Sequence, residues 1–149
     1  MNESSSSLIE QIRSGPCQII NSRKAGGVII LNRYSAEFAG PGAVVGTPLD
    51  FDCEHAIPLG DLALVEPKST DEVLTGYRIR LQWLKLVSRS TSLENTQLRA
   101  QKILEQFEQF FRKQDVQQIP DDVLAQLVGV LPQTIRSVRK KKQKIKKKV

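Results

Sequence analysis

The twenty residues 121–140, DDVLAQLVGVLPQTIRSVRK, contain a break that divides a helical pattern in two. Leu131 precedes Pro132, and a residue before proline is disfavoured in helical geometry, whereas proline suits the first position of the helix that follows. Gly129 supplies a residue that can adopt a positive φ within the turn. So short a connection makes two successive helices cross steeply and pack against each other. The sequence therefore predicts a tight pair of helices in this segment.

The apolar positions of the segment match what the packing of two such helices requires. Ala125 places a small side chain where the second helix passes over the first, four residues before Gly129. Five apolar residues fall at offsets that point into the wedge between the helices: Leu124, Val128, Val130, Ile135 and Val138. Asp121 and Asp122 lie in the first turn of the first helix, where exposed backbone amides favour carboxylates. Because these features seldom coincide by chance, we expect the two helices to form as a unit.

The charges of the chain are segregated along the sequence. The net charge is +6, yet residues 1–131 hold 13 Lys and Arg against all 16 Asp and Glu, a net of −3. From Pro132 onward there are nine cations and no acid: Arg136, Arg139, Lys140, Lys141, Lys142, Lys144, Lys146, Lys147 and Lys148. Such a basic end favours a polyanionic partner, because phosphate binding releases condensed counterions. The alternative is a solvated tail that only aids solubility.

Residues 1–90 have the pattern of a small β-rich domain. Clusters of β-branched residues at 18–20, 28–31 and 44–45 are separated by Gly and Pro, which predicts a small antiparallel sheet or a partial barrel. A short helix is predicted at 8–12, before Gly15-Pro16. One more strand is predicted at 77–83, because apolar residues alternate there with polar ones: Tyr77, Ile79, Leu81 and Trp83.

The segment 92–113 has a helical period instead. Positions three or four residues apart, with the polar Gln97 as the one interruption, form an apolar stripe: Leu93, Ala100, Leu104, Phe107 and Phe111. The stripe is broader than a coiled-coil seam, so two interpretations are open: a helix that covers the sheet of its own chain, or a dimer interface against a second copy. The expected fold class is α+β, with a β-rich domain at 1–90, a linking or dimerisation helix at 91–115, and the helix pair with its basic tail at 116–149.

Other residues give little support for catalysis or metal binding. Asp50, Asp52, Cys53, Glu54 and His55 are close in sequence, but strand geometry would divide them between two faces, and His55 is the single histidine. The glycines around Pro41 lack the Lys and Ser/Thr of a phosphate-binding loop and predict a turn. Cys17 and Cys53 lack CxxC spacing and are expected to be free thiols. We therefore expect no enzyme, no cofactor and no metal site.

The helix pair resembles the helix-turn-helix of bacterial and phage regulators, on Leu124-Ala125-Gln126-Leu127-Val128-Gly129-Val130 followed by Gln133-Thr134-Ile135. The order of elements is more weakly similar to the cyclic-AMP receptor protein family, in which a β-rich sensor domain is joined to such a motif by a dimerising helix. The resemblance implies that a recognition helix at about 132–142 enters the major groove of DNA. It implies base contacts by Gln133, Arg136 and Ser137, and phosphate contacts by Thr134, Arg139, Lys140, Lys141 and Lys142.

These observations predict a sequence-specific regulator of transcription that binds double-stranded DNA as a homodimer, in the cytoplasm at the nucleoid. The alternative is a non-enzymatic adaptor whose Lys-rich end binds RNA, the ribosome or an acidic protein. No small-molecule effector is evident, since no cyclic-nucleotide phosphate cassette is recognisable. We expect neither a secretory signal nor a membrane segment, because the N-terminus lacks an apolar core and no apolar run reaches 18 residues.

Overall fold

The computed structural model describes the backbone of residues 3–147 and the side chains of residues 7–143. The elements follow one another along the chain as α1 (Glu3–Arg13), β1 (Gln18–Ile20), β2 (Gly26–Asn32), β3 (Ala36–Ala39), β4 (Val44–Val45), β5 (Cys53–Gly60), β6 (Leu64–Val65), α2 (Thr70–Thr91), α3 (Thr96–Phe110), α4 (Lys113–Gln117), α5 (Asp121–Val128) and α6 (Pro132–Lys147). The expected α+β class is confirmed. The chain forms two compact units, Met1–Lys85 and Leu86–Val149.

The N-terminal unit is built on two three-stranded antiparallel sheets, in the orders β4-β1-β6 and β3-β2-β5. The predicted strand clusters at 18–20, 28–31 and 44–45 all lie in strands. The central strand β2 is buried from Gly26 to Leu31, which explains why it carries a continuous apolar run. The helix predicted at 8–12 is part of α1, which packs against β5 and inserts Ile12 into the core.

The predicted strand at 77–83 is wrong, because these residues lie within α2. The buried positions follow a helical period: Gly76, Arg80 and Val87 are buried and Trp83 is half-buried, whereas Leu81 is 56% exposed. Apolar and polar residues alternate in this segment as they would in a strand, although it is helical. The reason is that the cation Arg80 is buried in α2 whereas Leu81 is exposed. A Cβ atom at Gly76 would lie 2.8 Å from the Ile19 side chain, so the glycine permits a close approach of α2 to β1.

Arg80 occupies its buried position because two carboxylates surround it. It donates to Asp50 at 2.6 and 2.7 Å and to Glu37 at 2.6 Å, and it also donates to the carbonyl of Val44. Burial alone would lower the pKa of Arg80, but the hydrogen bonds and charges of Asp50 and Glu37 more than offset it and raise that pKa. The cluster ties α2 to β3, β4 and the Gly46–Asp50 turn.

The C-terminal unit is helical. α3 packs against α4, α5 and α6, and α5 packs against α6. The helix predicted over 92–113 is present as the shorter α3, Thr96–Phe110, since Phe111 is extended and Lys113 belongs to α4. It begins where the side chain of Asn95 accepts a hydrogen bond from the amide of Leu98. None of the helices described within residues 3–147 is long and apolar enough to span a membrane.

Candidate nucleic-acid interface

The connection between α5 and α6 follows the local rules that the sequence indicated. Gly129 ends α5 in the left-handed region, at φ 72° and ψ 43°, a conformation that glycine adopts without steric cost. The amides of Gly129 and Val130 both donate to the carbonyl of Ala125, which closes the last turn of α5. Pro132 is the first residue of α6, as predicted. Three residues therefore connect the two helices.

The wedge between α5 and α6 is filled by apolar side chains, most of them buried. Leu124 and Ile135 are fully buried, and Val128 and Val138 are 1% exposed, while Val130 is half-buried at the turn. Ala125 is 3% exposed, which agrees with its expected place under the second helix. The predicted packing positions other than Val130 are confirmed by their burial, and they pack α6 against α5.

Arg99 on α3 braces the turn from outside the pair. Its Nη1 donates to the carbonyl of Gly129 at 3.2 Å, and its Nε donates to the carbonyl of Leu93. The first contact satisfies a carbonyl at the end of α5 that has no partner within the helix. The role of Arg99 could not be predicted from the sequence, because Arg99 and Gly129 are 30 positions apart and share no local pattern.

We call the solvent-facing side of α6 the outer face, defined by Gln133, Arg136, Ser137, Lys140 and Lys141. These residues are spaced by three and one, so they form one stripe along the helix, and together they line a shallow, open depression of about 420 Å³. Ser137 is half-buried and the other four are exposed. The structure thus brings together all three residues predicted to contact bases and two of those predicted to contact phosphates.

The outer face is cationic. α6 contains no acid, and neither Lys140 nor Lys141 forms an ion pair with any of the described residues. Lys141 donates to Gln97 of α3 at 3.3 Å. Arg136 lies 3.6 Å from Asp121 through its Nε but stays 56% exposed. Arg136, Lys140 and Lys141 therefore present three positive charges to solvent, where an anion can approach them.

The opposite side of α6, which we call the inner face, uses its cations differently. Arg139 donates to Asp121 at 2.6 Å and to the carbonyls of Ile119 and Val116 at 2.8 and 3.0 Å. Lys142 lies 3.1 Å from Glu108 of α3. Both side chains line a small cavity of about 160 Å³ rather than the outer surface. These two residues, predicted to contact phosphates, are thus engaged within the unit.

Thr134 lies in the first turn of α6 and is half-buried, with its amide donating to the carbonyl of Leu131 at 2.9 Å. The side chains of Lys144, Lys146, Lys147 and Lys148 lie outside the described residues.

The apolar stripe of α3 is enclosed by its own unit. Ala100 and Phe107 are fully buried, Leu104 is 2% and Phe111 is 4% exposed, and Leu93 is half-buried. Packing within the same chain therefore explains the stripe, although the partners are helices rather than the sheet that one interpretation expected. Any contact of this unit with a second copy would have to use side chains other than the buried Ala100, Leu104, Phe107 and Phe111, and the dimer stays a prediction.

The remaining candidates are the two cysteines and the acidic residues around His55. Cys17 and Cys53 are both free thiols, as predicted. Burial, with the nearby charge of Asp50, raises the pKa of Cys53 to about 11 and raises that of Cys17 as well, so both are protonated and weakly nucleophilic at neutral pH. Asp50 is committed to Arg80. Among the described side chains, no group of three or more His, Cys, Asp or Glu is placed to hold a metal ion.

No family model, no curated protein and no solved structure matches this chain.

Proposed function

We propose that the protein is a sequence-specific regulator of transcription that binds double-stranded DNA, with residues 132–142 of α6 in the major groove. The observation that carries the proposal is the outer face: exposed Gln133, Arg136, Lys140 and Lys141 on one stripe of a helix that lacks acids. An α-helix fits the major groove of B-form DNA, where base edges are accessible between two rows of phosphates.

The outer face contains side chains suited to both kinds of contact. Gln133 and Arg136 lie towards the N-terminal end of α6, where recognition helices meet bases. Gln can bond bidentately to adenine and Arg to guanine, each worth about 1–3 kcal/mol of discrimination. Ser137 follows Arg136 on the same stripe. Lys140 and Lys141, one turn further on, would contact phosphates and fix the register of the helix.

The charge of the C-terminal unit supports the same partner. Residues 86–149 contain 14 Lys and Arg against six Asp and Glu, a net of +8, whereas residues 1–85 have a net of −2. A polyanion is attracted to the helical unit over a long range, and the attraction weakens as salt screens it.

Arg139 and Lys142 are assigned to the fold rather than to phosphates in this proposal. Each forms a close contact with a carboxylate inside the unit, and turning either side chain towards a phosphate would break that contact. Their contribution to DNA binding is to hold α6 so that the outer face is presented.

We propose a homodimer as the binding form, because one helix reads only a few base pairs and two copies can read two half-sites about one helical turn apart. A palindromic consensus sequence is the expected signature. A short, non-repeated consensus would instead indicate binding by a single copy.

Selection of bound sites from random duplex DNA tests the proposal. We expect enrichment of a defined sequence by the wild-type protein and loss of that preference in the variant Gln133→Ala with Arg136→Ala. The matched control is Gln109→Ala with Arg89→Ala, which removes the same residue types from exposed positions on α3 and α2. If the first variant keeps the wild-type preference, the assignment of the recognition helix is wrong.

The nine cations after residue 131 also fit the adaptor that binds RNA, the ribosome or an acidic protein. Deleting residues 140–149 distinguishes the two functions. A DNA regulator should keep weakened but sequence-dependent binding through Gln133 and Arg136, whereas an adaptor should lose its partner altogether.

A further inference from the structure

Leu131 is exposed at the point where the chain enters α6. The residue is 66% exposed, although it comes immediately before Pro132, the first helical residue. The backbone here is fixed: the carbonyl of Leu131 accepts the amide of Thr134, and Arg99 holds the carbonyl of Gly129 two residues earlier. An ordered turn therefore presents this leucine to solvent.

Leucine is unfavourable at this position on two physical grounds. The residue that precedes a helix is its N-cap, where Ser, Thr, Asp or Asn would accept a hydrogen bond from the first-turn amides, and leucine has no acceptor. The same side chain also leaves apolar surface in water. Positions where a sequence breaks local rules without a structural gain are often functional.

The surroundings of Leu131 limit the chemistry of its partner. The positive end of the α6 dipole lies beside it, and the cationic outer face begins two residues later at Gln133. A purely apolar partner would offer no anion to the positive end of the α6 dipole or to the cations of the outer face. The major groove of DNA offers phosphates together with one exposed apolar group, the C5-methyl of thymine.

We infer that Leu131 contacts the C5-methyl group of a thymine and makes the protein prefer thymine at one position of each half-site. This inference rests on the proposed function. Gln133 is suited to bind adenine, so the two contacts together select half-sites in which A·T pairs face the N-terminal end of α6.

Replacing thymine by deoxyuridine tests the inference, because it removes the methyl group and changes nothing else. On the duplex selected by the wild-type protein, each thymine is replaced in turn and the Kd is measured. We expect one position per half-site at which deoxyuridine weakens wild-type binding about fourfold, the effect of burying one methyl group. The Leu131→Ala protein should bind both duplexes equally. Leu98→Ala, which removes a leucine 50% exposed on α3, is the matched control and should keep the wild-type ratio.

A second variant separates recognition from folding. Leu131→Ser supplies the missing N-cap acceptor, so it should raise the midpoint of thermal unfolding by about 2–4 °C while abolishing the distinction between thymine and deoxyuridine. If Leu131→Ala keeps the wild-type ratio, or if the wild-type protein distinguishes the two bases at no position, the inference is overturned and DNA binding stands. If the wild-type protein binds no duplex with sequence preference, both proposals fall.

Discussion

The two faces of α6 carry the same kinds of side chain and use them in opposite ways. Arg136 and Arg139 are three residues apart, and both approach Asp121. Arg139 makes a 2.6 Å contact with that carboxylate and two more with backbone carbonyls, whereas Arg136 stays 3.6 Å away and 56% exposed. Residue type alone therefore does not indicate whether a cation serves the fold or is presented to a partner; its angular position on the helix decides.

Arg80 in the N-terminal unit extends the comparison. The exposed fraction of the side chain rises from 3% at Arg80 to 20% at Arg139 and 56% at Arg136. Loss of stability on substitution should fall in that order. Loss of DNA affinity that is not a consequence of unfolding should be confined to Arg136.

The largest effect is expected for Arg80→Met. The substitution leaves Asp50, which is 1% exposed, without its cation, so the free energy of unfolding should fall by about 3–5 kcal/mol. Urea denaturation followed by circular dichroism measures it. Adding Asp50→Asn should cost less than the sum of the two single changes, because it removes the unpaired charge. Strict additivity would contradict the coupling.

The second largest effect is expected for Arg139→Met, which should lower the free energy of unfolding by about 2–3 kcal/mol. The methionine keeps much of the apolar stem but removes the hydrogen bonds to Asp121, Ile119 and Val116, in a site only 20% exposed. The same denaturation experiment applies. A cost below 0.5 kcal/mol would mean that the inner face does not anchor α6, and the distinction between the faces would be lost.

Gly129→Ala tests the turn that sets the direction of α6. An alanine must adopt φ 72° there, which costs about 1–2 kcal/mol, while the nearest atom, Nη1 of Arg99, is at an ordinary 3.8 Å. The expected loss is therefore one of backbone strain alone. Val130→Ala at the half-buried neighbouring position provides a comparison for a change of side chain within the same turn. If Gly129→Ala leaves the free energy of unfolding unchanged, residue 129 does not have a positive φ and the turn has another conformation.

The smallest effect on stability is expected for Arg136→Ala. Its one ion pair is long and exposed, so the free energy of unfolding should change by no more than about 0.5 kcal/mol. The same variant should weaken binding to the selected DNA sequence by about 1–3 kcal/mol, as titration by fluorescence anisotropy would show. If Arg136→Ala instead causes a large loss of stability and leaves the affinity for the selected DNA sequence unchanged, Arg136 serves the fold as Arg139 does.

The helix pair could be predicted because its rules are local. Gly129 and Pro132 mark the turn, and the apolar offsets from Leu124 to Val138 mark the wedge, all within one short segment. The clusters at 18–20, 28–31 and 44–45 were recognisable as strands for the same reason. The stripe of residues in the outer face also follows from helical spacing once α6 is assigned.

What could not be predicted depends on contacts between distant residues. The burial of Arg80 requires Glu37 and Asp50, 43 and 30 residues away, and without those partners the segment 77–83 has the alternation of a strand. Arg139 and Arg136 could not be told apart before Asp121 was placed beside them. The apolar stripe of α3 likewise does not indicate whether the residues that bury it belong to the same chain or to a second copy.

The dependence of DNA affinity on salt tests the role of the outer face most directly. The wild-type protein is compared with Lys140→Gln plus Lys141→Gln, and with Lys102→Gln plus Lys113→Gln, which removes the same charge from exposed positions on α3 and α4. Because each lost phosphate contact flattens the plot of log K against log salt by about one unit, the outer-face variant should lose about two units per bound copy. The control variant should keep the wild-type slope. Equal slopes for all three proteins, or the same loss in both variants, would contradict binding of DNA through the outer face of α6.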